Sequence, residues 1–178
     1  MRRLFVFALL LVSGCGFFSR TKNTFYSLEP VPGARVAKSG TPIGIEGLEL
    51  PPGLDRRDIV VRDANHKVDL RGTNQWTAPL EEMVLHTLAF NLGNRLPEGM
   101  VVLPGQAKPP AMRSIYITMG ELAPGPEPTF VLDAQWTVDG RATHERIEVP
   151  MPSLDSEQVV VAMNTALGML ADRIANGT

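Results

Sequence analysis

From Phe130 to Val138 the chain alternates without a break: Phe130, Leu132, Ala134, Trp136 and Val138 are apolar, and Val131, Asp133, Gln135 and Thr137 stand between them. A period of two gives a β-strand one buried and one wet face, because successive side chains point to opposite sides of the backbone. Asp139-Gly140 follows at once, and this pair accepts the two positive φ angles of a type I′ turn. The chain is therefore expected to double back with Val138 opposite Arg141. In that register Leu132 faces Ile147 and Phe130 faces Val149 on the apolar side, while Asp133 meets Arg146 on the polar side. Pattern and charge select one pairing, so an antiparallel hairpin with one covered face is built into the sequence.

Two segments can supply the cover. In the first, Thr77 is placed to cap, Pro79 sits in the opening turn where its missing N–H costs nothing, and Glu81 and Glu82 favour the positive end of the helix dipole. Leu80, Met83, Val84, Leu88 and Leu92 then recur at helical spacing until Arg95 and Pro97 end the run. The second begins at Asp155 with Gln158 as capping partner and carries Val159, Met163, Ala166, Leu167, Leu170 and Ile174 down one side. Ile115, Ile117 and Met119 form a further alternating strand, and weaker strand patterns cover 43–50, 59–62, 67–71 and 100–103. The order reads as an α+β fold, a largely antiparallel sheet with two amphipathic helices packed on one face. Pro/Gly-rich stretches at 30–42, 104–110 and 124–128 read as long loops rather than domain linkers.

The N-terminus is a targeting segment. Arg2 and Arg3 precede an unbroken apolar run from Leu4 to Val12, and nine residues reach only about 14 Å against a hydrocarbon core of about 30 Å. That layout is a secretory signal, not a span. Val12-Ser13-Gly14-Cys15 resembles the bacterial lipobox, and Cys15 is the single cysteine of the 178 residues. The resemblance implies cleavage between Gly14 and Cys15 and lipidation of Cys15, which divides the chain into a lipoprotein signal peptide (1–14), a lipidated N-terminus and tether (15–23) and one domain (24–178). Three acyl chains exceed what stable anchoring needs. Gly16 follows where, by the resemblance to enterobacterial lipoproteins, an Asp favours inner-membrane retention, so outer-membrane residence facing the periplasm is expected. Phe17 and Phe18 are read as lying at the lipid interface, and the tether, about eight extended residues, spans at most about 28 Å.

Removing Arg2 and Arg3 from the 17 basic residues leaves 15 against 19 acidic, a net charge near −4. There is no basic stripe for nucleic acid. The single Cys excludes an internal disulfide and a Cys-based zinc site, and neither cofactor nor metal is expected. His66, His86 and His144 lack a second ligand or base at motif spacing, and Ser114, Ser153 and Ser156 have no evident base. Asp55, Arg56, Arg57 and Asp58 form a charge cluster that is either a solvated, salt-bridged loop or a partner contact. Trp76, ahead of the first helix, is either an anchor for a partner or, as is more usual at a helix entry, packed against the fold.

Several stretches taken together resemble a known family. Phe25-Tyr26-Ser27-Leu28, Leu50-Pro51 through Leu54-Asp55-Arg56, Ile59-Val60-Val61-Arg62, and Trp76-Thr77-Ala78-Pro79-Leu80 leading to Leu88, Leu92, Leu96 and Pro97 look like the ABC-type transport auxiliary lipoproteins of the paraquat-inducible protein C type. The segment from Leu132 to Gly140 and the terminal helix are included. The resemblance implies a non-enzymatic outer-membrane lipoprotein of an intermembrane transport system, docking a periplasmic mammalian-cell-entry (MCE) domain protein that carries lipids or other hydrophobic solutes. Self-association into a homo-oligomer is left open. Two other classes stand beside it: a lipid-binding carrier, which needs an internal cavity, and a periplasmic hydrolase with an unrecognised site.

Overall fold

The computed structural model describes residues 22–62, 67–125 and 127–178. The leader, Gly14, Cys15 and His66 lie outside the described residues. Eight strands and two helices follow in chain order: β1 (Thr24–Tyr26), β2 (Ile43–Glu49), β3 (Asp58–Arg62), β4 (Val68–Trp76), α1 (Leu80–Arg95), β5 (Val101–Val102), β6 (Arg113–Pro124), β7 (Thr129–Val138), β8 (Arg141–Pro150) and α2 (Ser156–Gly177).

The hairpin forms in the expected register. Val138 pairs with Arg141, Leu132 with Ile147, Phe130 with Val149 and Asp133 with Arg146. Asp139 and Gly140 both take positive φ, 51° and 75°, as a type I′ turn requires. Of the stretch 124–128, expected as a long loop, Pro124 closes β6, and the Gly125 N–H donates to the Thr129 carbonyl at 2.7 Å.

The fold is α+β, and its strands divide into two mixed sheets. One has five strands in the order β5-β2-β6-β7-β8, the other three in the order β1-β4-β3. The antiparallel ladders β6–β7, β7–β8 and β3–β4 hold most of the paired residues, while β2 lies parallel to both β5 and β6, and β1 parallel to β4. Both helices cover one face of the five-stranded sheet, α2 against β6, β7 and β8 and α1 against β2 and β5. The stripes read from the sequence fill that interface: Leu80, Val84, Leu88 and Leu92 from α1 and Val159, Met163, Leu167, Leu170 and Ile174 from α2 are buried against Ile115, Ile117, Phe130, Leu132 and Ile147.

Both helix caps differ from expectation. Neither Pro79 nor Asp155 makes a side-chain capping bond. The Thr77 hydroxyl turns to the Met83 sulfur at 3.6 Å, and the Glu81 N–H at the start of α1 donates instead to Asp55 Oδ1 at 3.3 Å. Asp155 holds the N-cap position of α2, but its carboxylate accepts from the Ser153 hydroxyl at 2.8 Å.

Residues 27–38 form a strap across the outside of the helices. The Glu29 N–H donates to Asn164 Oδ1 at 3.0 Å and the Val31 N–H to Asn91 Oδ1 at 2.7 Å. The Val36 N–H donates to the Arg95 carbonyl at 2.7 Å. Arg95, its side chain 2% exposed, gathers strap and helices together: Nε donates to Asp172 Oδ1 at 2.6 Å and Nη1 to the Val31 and Asn91 carbonyls at 3.1 Å each. Gly33 and Gly168 leave room for this, since a Cβ on Gly33 would meet the Arg95 guanidinium and one on Gly168 the Val31 side chain.

Candidate functional site

The charge cluster resolves into two parts with different roles. The loop of residues 51–57 is pinned through Leu54, buried at 7%, and through the Trp76 N–H, which donates to the Arg57 carbonyl at 2.8 Å. The cluster's two carboxylates, Asp55 in the loop and Asp58 at the start of β3, are engaged by the chain itself. Asp55 caps α1 as described, favoured by the positive end of the helix dipole, and Asp58 Oδ1 accepts from Gln75 Nε2 at 3.1 Å. Arg56 and Arg57 are exposed, and neither guanidinium has a hydrogen-bond or ion-pair partner among the described residues. Asp55 is exposed beside them and keeps its negative charge, because its partner, the Glu81 N–H, is neutral, so this surface carries two guanidiniums and one carboxylate. Among the described residues no ion pair forms within the cluster.

Asp55, Arg56 and Arg57 line a concavity of about 280 Å³ together with Trp76, Thr77, Ala78 and Pro79. Trp76 is buried, 3% exposed, and belongs to the core while reaching the concavity. Thr77 and Ala78 also line a second, neighbouring hollow of about 190 Å³ with Met83 and His86. The structure thus brings together four of the five residues singled out as a partner contact; Asp58 stands outside the lining, held by Gln75.

A larger opening, about 620 Å³, lies elsewhere, between the β7–β8 turn and the end of α2. Arg113, Arg141 and Arg173 converge on it from three elements, a grouping that no local sequence signal announces. Two of the three are compensated, Arg113 by Asp139 at 2.7 Å and Arg173 by Glu145 at 3.9 Å. It is a less free cationic surface than the smaller concavity.

The remaining candidates are dispersed. His86 is exposed on α1. His144 Nε2 lies 3.0 Å from Asp133 Oδ1, a diagonal cross-strand pair that the hairpin register contained and spacing rules overlooked. Arg146 completes this surface network, its guanidinium held above its ordinary value by hydrogen bonds to Glu121 and Glu148. Ser156 is buried and accepts from Asn74 Nδ2 at 2.9 Å, and Ser153 is engaged with Asp155. Among the described residues no three His, Cys, Asp or Glu side chains gather as a metal site, and no helix is long and apolar enough to cross a membrane.

Solved structures share the fold. One, titled as an uncharacterized protein, superposes with a TM-score of 0.70 at 16% identity over 88% of this chain and 98% of its own. Protein XCC0632 from Xanthomonas campestris, assigned to the DUF330 family, does so with a TM-score of 0.61 at 14% identity over 85% and 92%. No curated protein sequence matches the chain. The model of the ABC-type transport auxiliary lipoprotein component family matches residues 26–175, which takes in the five-stranded sheet, α1, nearly all of α2 and the arginine concavity, and the chain belongs to that family.

Proposed function

We propose that this protein is a non-enzymatic outer-membrane lipoprotein, anchored through Cys15, that docks a periplasmic MCE-domain protein of an ABC-type transport system moving lipids or other hydrophobic solutes. The observation that carries the docking site is the division of the 55–58 cluster: both carboxylates serve the fold, and beside Trp76 neither guanidinium has a partner among the described residues. Unpaired charges at the rim of a concavity steer a complementary partner and penalise a wrong one. The family description as an auxiliary transport component supports the role.

A lipid carrier would need an enclosed space for acyl chains. The interior void between Trp76, Leu122 and Met163 measures about 10 Å³, room for at most one water molecule, which favours docking over carriage. The test is a photo-crosslinking side chain at position 57 of the full-length lipoprotein in intact cells. Crosslinking to an MCE-domain protein is expected; crosslinking only to unrelated envelope proteins overturns the reading.

A further inference from the structure

Three of the seven exposed large apolar side chains among the described residues, Phe25 at 56%, Val68 at 49% and Leu70 at 45%, lie on the smaller sheet. They share one side of it. Alternation along β3 turns Ile59 and Val61 into the core, 0% and 2% exposed, and leaves Asp58, Val60 and Arg62 on the other side, Val60 half-buried with its edge still against the core. Leu70 pairs with Val60 and Val68 with Arg62, and beyond a bulge in β4 Gln75 pairs with both Asp58 and Phe25. Phe25, Leu70 and Val68 therefore form an apolar stripe facing away from the core.

The chain direction says what meets this stripe. β1 runs parallel to β4, with Thr24 opposite Asn74 and Tyr26 opposite Trp76. The polypeptide upstream of Thr24 is thus directed back toward the Val68 end of β4. From Cys15 to Thr24 there are nine residues, a reach of about 30 Å at most. Arg62 beside Val68 and Lys22 at the start of the described chain, both exposed, add positive charge that suits anionic headgroups.

The geometry points to the apolar stripe as a membrane-contact face: the Val68 end of the β3–β4 hairpin rests on the lipid surface that holds Cys15. This rests on the anchoring proposed above. It also sets the orientation of the docking concavity. Asp58 lies four residues along β3 from Arg62, about 13 Å, so Arg56 and Arg57 are held off the lipid and turned toward the periplasmic space.

The test uses the full lipidated chain in vesicles of phosphatidylethanolamine and phosphatidylglycerol. Cys15 is the only cysteine and its sulfur is consumed by the lipid, so Leu70→Cys, Val68→Cys or Arg56→Cys each carries a single spin label. Labels at 70 and 68 should collide several-fold less often with a water-soluble nickel chelate than the label at 56, and more often with oxygen. Equal chelate accessibility at all three positions in vesicle-bound protein overturns the membrane face and leaves docking intact. Recovery of the protein in the supernatant after the vesicles are pelleted overturns the anchor and the face together.

Discussion

Gly93 in α1 and Gly168 in α2 are both helical glycines, and replacing each with Ala should move stability in opposite directions. Helix propensity alone favours Ala by about 1 kcal/mol, because the unfolded chain loses freedom and the helix gains a side chain. A Cβ on Gly93 meets nothing within 4 Å, so that gain should appear in full. On Gly168 the new methyl lands on the Val31 side chain and comes within 3.4 Å of Arg95 Nη2. The strap must lift, and overpacking of this kind costs about 1–3 kcal/mol. Lifting also stretches the 2.7 Å bond from the Val31 N–H to Asn91 and the 3.1 Å bond from Arg95 to the Val31 carbonyl, each worth about 1 kcal/mol. The net expectation for Gly168→Ala is a loss of about 1–2 kcal/mol. For a domain of this size 1 kcal/mol moves Tm by about 2–4 °C. Thermal unfolding followed by circular dichroism should therefore place Gly93→Ala about 2–4 °C above the parent and Gly168→Ala about 2–8 °C below it. Val31→Ala should recover part of the loss only in the Gly168→Ala background, the non-additivity expected of residues in contact. If Gly168→Ala melts as high as Gly93→Ala, the strap is not seated on α2 and the account of Arg95 as its clasp fails with it.

Truncating Arg95 to Ala leaves Asp172 and the Val31 and Asn91 carbonyls without their donor. Removing one partner of a buried pair costs about 3–5 kcal/mol, and because Asp172 is 43% exposed the lower end is expected, read as a fall in the urea midpoint; an unchanged midpoint contradicts the clasp. Gly140→Val forces a β-branched side chain to a φ of 75° and should cost about 1 kcal/mol or more, so a melt indistinguishable from the parent would remove the turn from the account. Replacing His144 with Gln or Ser114 with Ala should leave outer-membrane permeability unaltered in cells, and a loss with either variant folded and membrane-bound would argue for catalysis.

What was legible in the sequence was local. The β7–β8 hairpin announces itself within twenty residues, since alternation, turn chemistry and charge all select one register, and the two helix stripes carry their own period. Contacts across long separations left no such mark. Asp55 caps a helix that begins 25 residues later, a service that Thr77, adjacent to it, was expected to perform. The strap reads as a Pro/Gly-rich loop because its bonds to Asn91, Arg95 and Asn164 are made with partners 59 or more residues away. β1 is three residues long and has no period to detect, and in β4 the turn-like Gly72-Thr73-Asn74 forms a bulge, the register with β3 jumping from Arg71 to Gln75 while only Asn74 of the three pairs, with Thr24. For the site, the sequence marked Asp55 to Asp58 and Trp76 but not which side chains the fold engages; that follows from Gln75 and the Glu81 N–H, visible only once the chain is folded.

The central claim, that this family member docks a transport bridge through its free arginines, is tested most directly by affinity purification of the full-length lipoprotein from detergent-extracted envelopes. The unaltered protein is expected to retain an MCE-domain protein, and Arg56→Glu with Arg57→Glu to lose it, since reversed charge at a contact costs several kcal/mol, while the variant keeps its Tm and stays in the outer-membrane fraction. Failure of the unaltered protein to retain any MCE-domain protein would contradict the docking role, and retention undiminished by the double reversal would contradict the site.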